Sequence, residues 1–363
     1  MALVTGDHCA FLYNEGFLKY YFGENHPFQP YREKATLELL ERLGIFGDKA
    51  VVHRTFPASL EDVRMVHSQE HIDFVRRRCE AGGGMLDRGD TPATESLFEG
   101  SLAAVGATMD GAEGIMNGRF LHAFNPAGGL HHARCECSSG FCVFNDIAVA
   151  VRALQRRFKK ERIAIVDIDG HHGDGTQSVF YNEKVLTISL HHLSLGFFPG
   201  SGQVKEVGEG YGKGYAINVP LPFRTGDRTY LKAYNSVAMA ALKEYRPDFI
   251  IHQFGVDAHF SDPLVGLGLT THGYEEIAKV THQAAHDLCD GHYLVVGGGG
   301  YNSTTVPRCW AIMFCTISGT YPKEPGAWEA LHDKQGMPEP EEVEGEVEAT
   351  ISRLKAEVLP LIR

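Results

Sequence analysis

One run near the middle of the chain restricts it more than any other: Asp167-Ile168-Asp169-Gly170-His171-His172-Gly173-Asp174-Gly175, which follows directly on the apolar stretch 163–166. That stretch reads as a strand covered on both faces, so carboxylates and imidazoles crowd the end of a buried element. Burying such groups is costly unless their charges are paired or bound to a cation. Aspartate oxygen and imidazole nitrogen both ligate zinc-like ions, and a centre with three protein ligands keeps one coordination place open, as catalytic centres do. Extended backbone would put Asp167, Asp169 and His171 on one side. We expect Asp169 and His171 to be metal ligands, with Asp257, just past the apolar run 249–254, as the third.

Similar apolar runs at 120–124, 163–168, 185–190, 249–254 and 293–296 alternate with helical patterns at 31–43, 92–117, 145–158, 230–245 and 274–288. This alternation predicts an α/β fold, a single open and mostly parallel sheet with helices on both faces. Ligands in such folds sit beyond the carboxyl ends of the strands. Glycine-rich polar clusters follow the runs there: Gly128-Gly129-Leu130-His131-His132, Gly255-Val256-Asp257, and Gly297 to Gly300 before Tyr301. They are expected to converge on one rim.

Hydrolysis at such a centre needs a proton acceptor, and His131 and His132 have suitable basicity. Asp167 and Asp174 are the natural carboxylate partners to orient them. Tyr301, after four glycines, is placed to donate to an oxyanion. A nucleotide site is disfavoured, because the glycines match neither GxGxxG nor GxxxxGK[ST].

With 363 residues, 43% hydrophobic and 22% charged, the chain suits one large globular domain. We place it at 1–330, followed at 331–363 by an acidic linker, centred on 337–348, and an amphipathic helix. That helix is read from the spacing of Val343, Val347, Ile351, Leu354 and Val358, and it docks on its own domain or on a partner subunit in a homo-oligomer. A net charge of -12 disfavours nucleic acid as a direct ligand and tolerates a cationic substrate. Neither a secretory leader nor a bilayer-spanning run is evident, and eight cysteines without CxxC spacing, Cys135 and Cys137 being the one tight pair, fit a reduced, cytoplasmic protein.

The sequence resembles the zinc-dependent histone deacetylase and acetoin-utilisation protein family of the arginase/deacetylase superfold. The resemblance extends from about Asn25-His26-Pro27 to Trp310. It rests on Asp90-Thr91-Pro92-Ala93-Thr94-Glu95, Gly129 to Ala133, Ser139-Gly140-Phe141-Cys142, Asp167 to Gly175, Ser189-Leu190-His191, Gly196-Phe197-Phe198-Pro199-Gly200, Gly255-Val256-Asp257 and Gly298 to Asn302.

The resemblance implies that Asp169, His171 and Asp257 hold Zn2+, with Fe2+ or Co2+ as alternatives, that His131 and His132 with Asp167 and Asp174 are catalytic, and that Tyr301 hydrogen-bonds the polarised carbonyl. It further implies a substrate tunnel with Phe141 and Phe198 as walls, Gly140 below, Leu264 at the mouth, Gly299 beside it and Asp90 at the rim. A structural K+ or Na+ is implied near Asp167, Ser189, Leu190 and the carbonyls of Asp169 and His171, with a second around Phe180 and Val185.

The implied reaction frees acetate and an amine from an acetylated protein, peptide or small amine. An acetylpolyamine deacetylase is the close rival. Apolar Leu264 speaks for acetyl-lysine there, although Glu95 or Glu99 can still supply charge. An arginase-like two-metal ureohydrolase is disfavoured by His131-His132 and Tyr301, and a tunnel without chemistry by the intact set of ligands, histidines and tyrosine.

Overall fold

β4 (Ile163–Asp167), the strand that leads into the charged run, is flanked by β5 (Leu186–His192) and β7 (Phe249–Gln253) in a computed structural model that describes residue 6 and residues 8–362. The remaining strands are β1 (Cys9–Tyr13), β2 (Ala50–Arg54), β3 (His122–Asn125), β6 (Ala216–Leu221) and β8 (Tyr293–Val296). They form one open sheet in the order β2-β1-β3-β8-β7-β4-β5-β6, with every pair parallel.

The register aligns the carboxyl ends of the central strands. Asn125 lies opposite Val296, Val296 opposite Gln253, Gln253 opposite Asp167, and Asp167 opposite Ser189. The four clusters picked out in the sequence leave from β3, β8, β7 and β4, which are adjacent, so their loops meet at one place.

The helices are α1 (Tyr31–Arg42), α2 (Leu60–Val63), α3 (Gln69–Glu80), α4 (Leu97–Met116), α5 (Asp146–Phe158), α6 (Asp174–Phe180), α7 (Asp227–Ala233), α8 (Met239–Tyr245), α9 (Thr271–Cys289), α10 (Thr305–Ser318) and α11 (Glu341–Glu357). Local chemistry sets several ends. Asn145 caps α5 by accepting from the Ala148 amide at 2.9 Å, and Asp290 closes α9 in the left-handed conformation. Buried Trp310 of α10 donates its indole N–H to the Phe254 carbonyl at 3.1 Å, tying that helix to the loop after β7.

Several expectations are corrected. The helix expected from residue 92 begins at Leu97, because Pro92 bridges to Met85 and the Thr94 hydroxyl donates to the Tyr21 carbonyl at 2.6 Å. The helix expected over 230–245 starts at Asp227 and contains a widened turn over Tyr234–Ala238 that separates α7 from α8. The segment 337–348 is no free linker. Glu339 accepts from the Gly226 amide at 2.9 Å and pairs with Arg228, and α11 begins at Glu341.

Val343, Val347, Ile351 and Leu354 of α11 are buried, with the helix packed against α7 and β6 of its own chain. The eight cysteines are free thiols, and among the described residues no helix is long and apolar enough to cross a membrane.

Candidate active site

The backbone leaves extended conformation at the end of β4 and turns on its own carboxylates. The Asp169 amide donates to Asp167 Oδ1 at 3.1 Å, and the His171 amide to Asp169 Oδ1 at 3.0 Å. Asp167 therefore does not share a face with Asp169 and His171 as strand alternation suggested; its carboxylate turns to His131.

The donor atoms of Asp169, His171 and Asp257 lie within 4.8 Å of one another, all three residues being buried. His171 Nδ1 is 2.9 Å from Asp257 Oδ2 and 3.2 Å from Asp169 Oδ1. The carboxylates are held from behind: Asp169 Oδ2 accepts from Gln253 Nε2 at 2.8 Å and from the Gly299 amide at 2.7 Å, and Asp257 Oδ1 accepts from the Gly170 amide at 2.6 Å. Gly299, expected beside the substrate, thus stands against the ligands, where a Cβ would collide with the Asp257 carboxylate.

This set fits a divalent ion of the zinc class. Burial opposes charge on His171, yet Asp169 and Asp257 hold its imidazolium up at about 10, so the cluster demands positive charge. Burial and the Asp169 carboxylate push Asp257 up, while His131 and His171 overcome burial to hold Asp169 far below the carboxylate range. Two carboxylates and one imidazole in a dry site are the donor types that zinc, iron and cobalt accept.

Beyond β3, the Gly129 and Leu130 amides donate to Asp146 at 3.0 and 2.7 Å, which fixes the loop carrying the histidine pair. His131 Nδ1 lies 2.7 Å from Asp167 Oδ2, and His132 Nδ1 lies 2.7 Å from Asp174 Oδ1. The second Asp174 oxygen accepts from Arg134 at 2.7 Å. The two Nε2 atoms meet at 3.0 Å. Burial works against charge on both rings, but Asp167 and Asp169 raise His131 to about 9, whereas burial and the neighbouring His131 lower His132 to about 4.

At the rim, a Cβ on Gly140 would stand 2.6 Å from the His132 ring and 2.8 Å from Phe198, so only glycine fits between them. The half-exposed Phe198 ring lies 4.9 Å from His132 and 6.2 Å from His171; Phe141 lies 6.0 Å from Tyr301 and 4.5 Å from His26. Burial and the Asp257 and Asp169 carboxylates push the Tyr301 hydroxyl well above its usual range, which keeps it a donor. The backbone amides of Tyr301 and of the exposed Leu264 both donate to Asp262, at 2.9 Å each. Asp90 is exposed and adjoins Asp87: the Thr91 hydroxyl is shared between the two carboxylates and accepts from the Phe141 amide at 3.0 Å.

For the monovalent ion, Asp167 and Ser189 pair in register and line a void of about 10 Å³ together with Gly173 and Thr176. The Leu190 carbonyl faces the Tyr230 hydroxyl at 3.5 Å. Around the second expected position, the Phe180 carbonyl accepts from the Glu183 amide at 2.9 Å, and Val185 is buried.

Five residues of the centre were given no role by the sequence. Arg32 donates to the Gly298 and Gly300 carbonyls at 3.1 and 2.8 Å and so shapes the glycine loop. Phe197 stacks on His171 with ring centroids 5.1 Å apart. Gln253, Asp262 and Arg134 orient groups already named. Gln253 had a signal, being the polar end of an apolar run; Arg32 had none.

A family model for the histone deacetylase domain matches residues 26–317. The chain belongs to the histone deacetylase family. It is 39% identical over 340 residues to the acetoin utilization protein AcuC of Bacillus subtilis, covering 90% of this chain and 87% of that one. It is 38% identical over 305 residues to a probable deacetylase of Archaeoglobus fulgidus, with 83% and 82% covered. The crystal structure of the HDA15 HD domain superposes with a TM-score of 0.80 at 30% identity, covering 97% of this chain and 99% of that one. As a histone deacetylase family member the chain is a hydrolytic deacetylase, in a family whose usual metal is zinc.

Proposed function

We propose that this deacetylase hydrolyses the acetyl amide of Nε-acetyl-lysine in a protein or peptide, releasing acetate and the free amine. The observation that carries the reading is the pairing of two buried imidazoles with separate carboxylates beside the Asp169, His171 and Asp257 cluster. Those three residues would hold a divalent ion, zinc by family habit, whose chemistry is to polarise the acyl carbonyl and raise the acidity of water.

The chain's own groups do the rest. His132, kept neutral by burial and oriented through Nδ1 by Asp174, takes the proton of the attacking water at Nε2 and later gives it to the departing amine. His131, with Asp167 behind it, supplies positive charge beside that exchange. Tyr301 donates a hydrogen bond from its hydroxyl to the tetrahedral oxyanion and keeps its proton. Phe141 and Phe198 line the aliphatic stem of the substrate, and Asp167 and Ser189 would hold a monovalent cation whose charge would steady the loop after β4.

A small acetylated amine is the second reading, favoured by the neighbouring Asp87 and Asp90 carboxylates at the rim, which suit an ammonium group as well as peptide amides. The deciding experiment compares kcat/KM for an acetyl-lysine peptide and for acetylspermidine on zinc-loaded protein. The proposal expects the peptide to be preferred. A strong preference for acetylspermidine moves the assignment to small amines, and turnover of neither overturns the acetyl-amide reading.

A further inference from the structure

The amino-terminal end of the strands, opposite the rim that carries the deacetylase centre, holds a second cluster of ligand side chains. His122, the first residue of β3, meets His282 and His286 of α9, which are four positions apart and so lie on one helix face. The Nε2 atoms form a closed triangle: 2.9 Å from His282 to His122, 3.2 Å from His122 to His286, and 3.0 Å from His286 to His282. His122 is fully buried, His282 partly so and His286 exposed, so one side of the triangle opens to solvent.

Hydrogen bonding alone cannot satisfy this triangle. A neutral imidazole Nε2 carries either one proton or one in-plane lone pair, never both. Among three such atoms in mutual contact, two are alike in every distribution of protons, and that pair meets proton to proton or lone pair to lone pair. Extra protons replace this conflict with adjacent charges. One cation at the centre accepts three lone pairs at once and removes it.

We propose that His122, His282 and His286 form a second metal site for a divalent transition ion of the zinc, nickel and copper class. Imidazole nitrogen is the ligand these ions share. In a tetrahedral centre with Zn–N of about 2.0–2.1 Å, neighbouring nitrogens stand roughly 3.3 Å apart. The triangle is a few tenths of an ångström tighter, within the reach of small ring rotations. Gly291, at φ +77°, leaves the rings their room, since a Cβ there would press on His286 Nδ1 at 3.2 Å and His122 Cε1 at 3.4 Å.

The fourth coordination place faces water, and the ion clamps the end of α9 to the start of β3. The site shares no ligand with Asp169, His171 and Asp257, so it stands independently of the substrate assignment. It also changes how metal content is read: two ions per chain would come from two separate mononuclear sites, not from a two-metal centre.

The test uses the full chain free of any polyhistidine tag, stripped by chelator, dialysed against Zn2+ and analysed for bound metal. The wild type is expected to hold two ions per chain. The His282→Ala/His286→Ala protein, altered only at positions solvent reaches, is expected to hold one and to keep its deacetylase turnover. Asp257→Asn is also expected to hold one, without turnover. Cu2+ added to Asp257→Asn should show coupling to several nitrogens in its electron paramagnetic resonance spectrum, and lose it when the two histidine changes are added. A wild type that binds a single ion, or a double variant that still binds two, overturns the proposal.

Discussion

His131 and His132 touch through their Nε2 atoms at 3.0 Å, while each Nδ1 faces a different carboxylate at 2.7 Å. The two halves of this relay are unequal. Asp174 divides its charge between His132 and Arg134, whereas His131 feels Asp169 in addition to Asp167. Positive charge therefore settles on His131 and leaves His132 neutral.

That asymmetry predicts unequal variants. His132→Ala should lower kcat by about 10²–10⁴-fold, the usual range for a general acid or base. His131→Ala should lower it less, with the catalytic ion retained in both. Steady-state kinetics on an acetyl-lysine peptide, paired with metal analysis, checks this; equal turnover of His132→Ala and wild type would contradict it.

Tyr301→Phe removes a single hydroxyl from a half-buried ring. Loss of one oxyanion donor lowers kcat by about 10²–10³-fold. The change should fall on kcat and leave KM nearly unaltered, because the oxyanion exists only in the transition state.

Gly140→Ala should cripple turnover while leaving the fold intact. The residue sits at φ +53°, and an added methyl would meet the His132 ring at 2.6 Å. Circular dichroism unchanged from wild type, with activity strongly reduced, is the expected pair of results.

Away from the centre, His67 predicts a pH dependence of stability. Its Nδ1–H donates to the Arg134 carbonyl at 3.0 Å and its Nε2 accepts from the Asn145 amide at 2.9 Å, which leaves no place for a second proton. Burial, with His71 adding to it, lowers its pKa to about 3. The unfolded chain binds a proton below about 6.5 and the folded chain does not, so this contribution is complete above pH 6.5 and is lost as pH falls toward 3. The slope is about 1.4 kcal/mol per pH unit. Urea unfolding between pH 7 and 4 should show His67→Gln with a shallower loss than wild type.

Leu354 of α11 is fully buried against the domain. Leu354→Ala should destabilise the protein by about 2–5 kcal/mol, the range for such core truncations. Lys232→Ala, which breaks only exposed pairs with Glu344 and Glu348, should have little effect by the same denaturation assay.

Much of the centre was legible because its residues are neighbours in sequence. Asp169 and His171 announce each other, as do His131 and His132, and the glycines before Tyr301 mark a loop forced close to other backbone. Strands β3, β4, β5, β7 and β8 were readable because burial on both faces gives continuous apolar runs. β6 was hidden by Pro220, tolerated because the strand lies at the sheet edge. α10 is buried on nearly every side and so shows no stripe, and in α3 charged residues obscure the spacing of Ile72, Val75 and Cys79.

What escaped is what folding alone brings together. Arg32 reaches the glycine loop across 266 residues of chain, and the Asp262 carboxylate joins Tyr301 to Leu264 through backbone amides. The His122, His282 and His286 triangle is of this kind too, since its two helix residues lie 160 and 164 positions from its strand residue. Gly299 has a contact its motif did not announce: its amide holds Asp169.

The most direct measurement is acetate release from an acetyl-lysine peptide by the chelator-stripped full chain, before and after Zn2+ is restored, with Asp257→Asn alongside. The account predicts no turnover in the stripped protein, recovery on adding Zn2+, and no recovery in Asp257→Asn. Undiminished turnover by the stripped protein, or by Asp257→Asn, would contradict it.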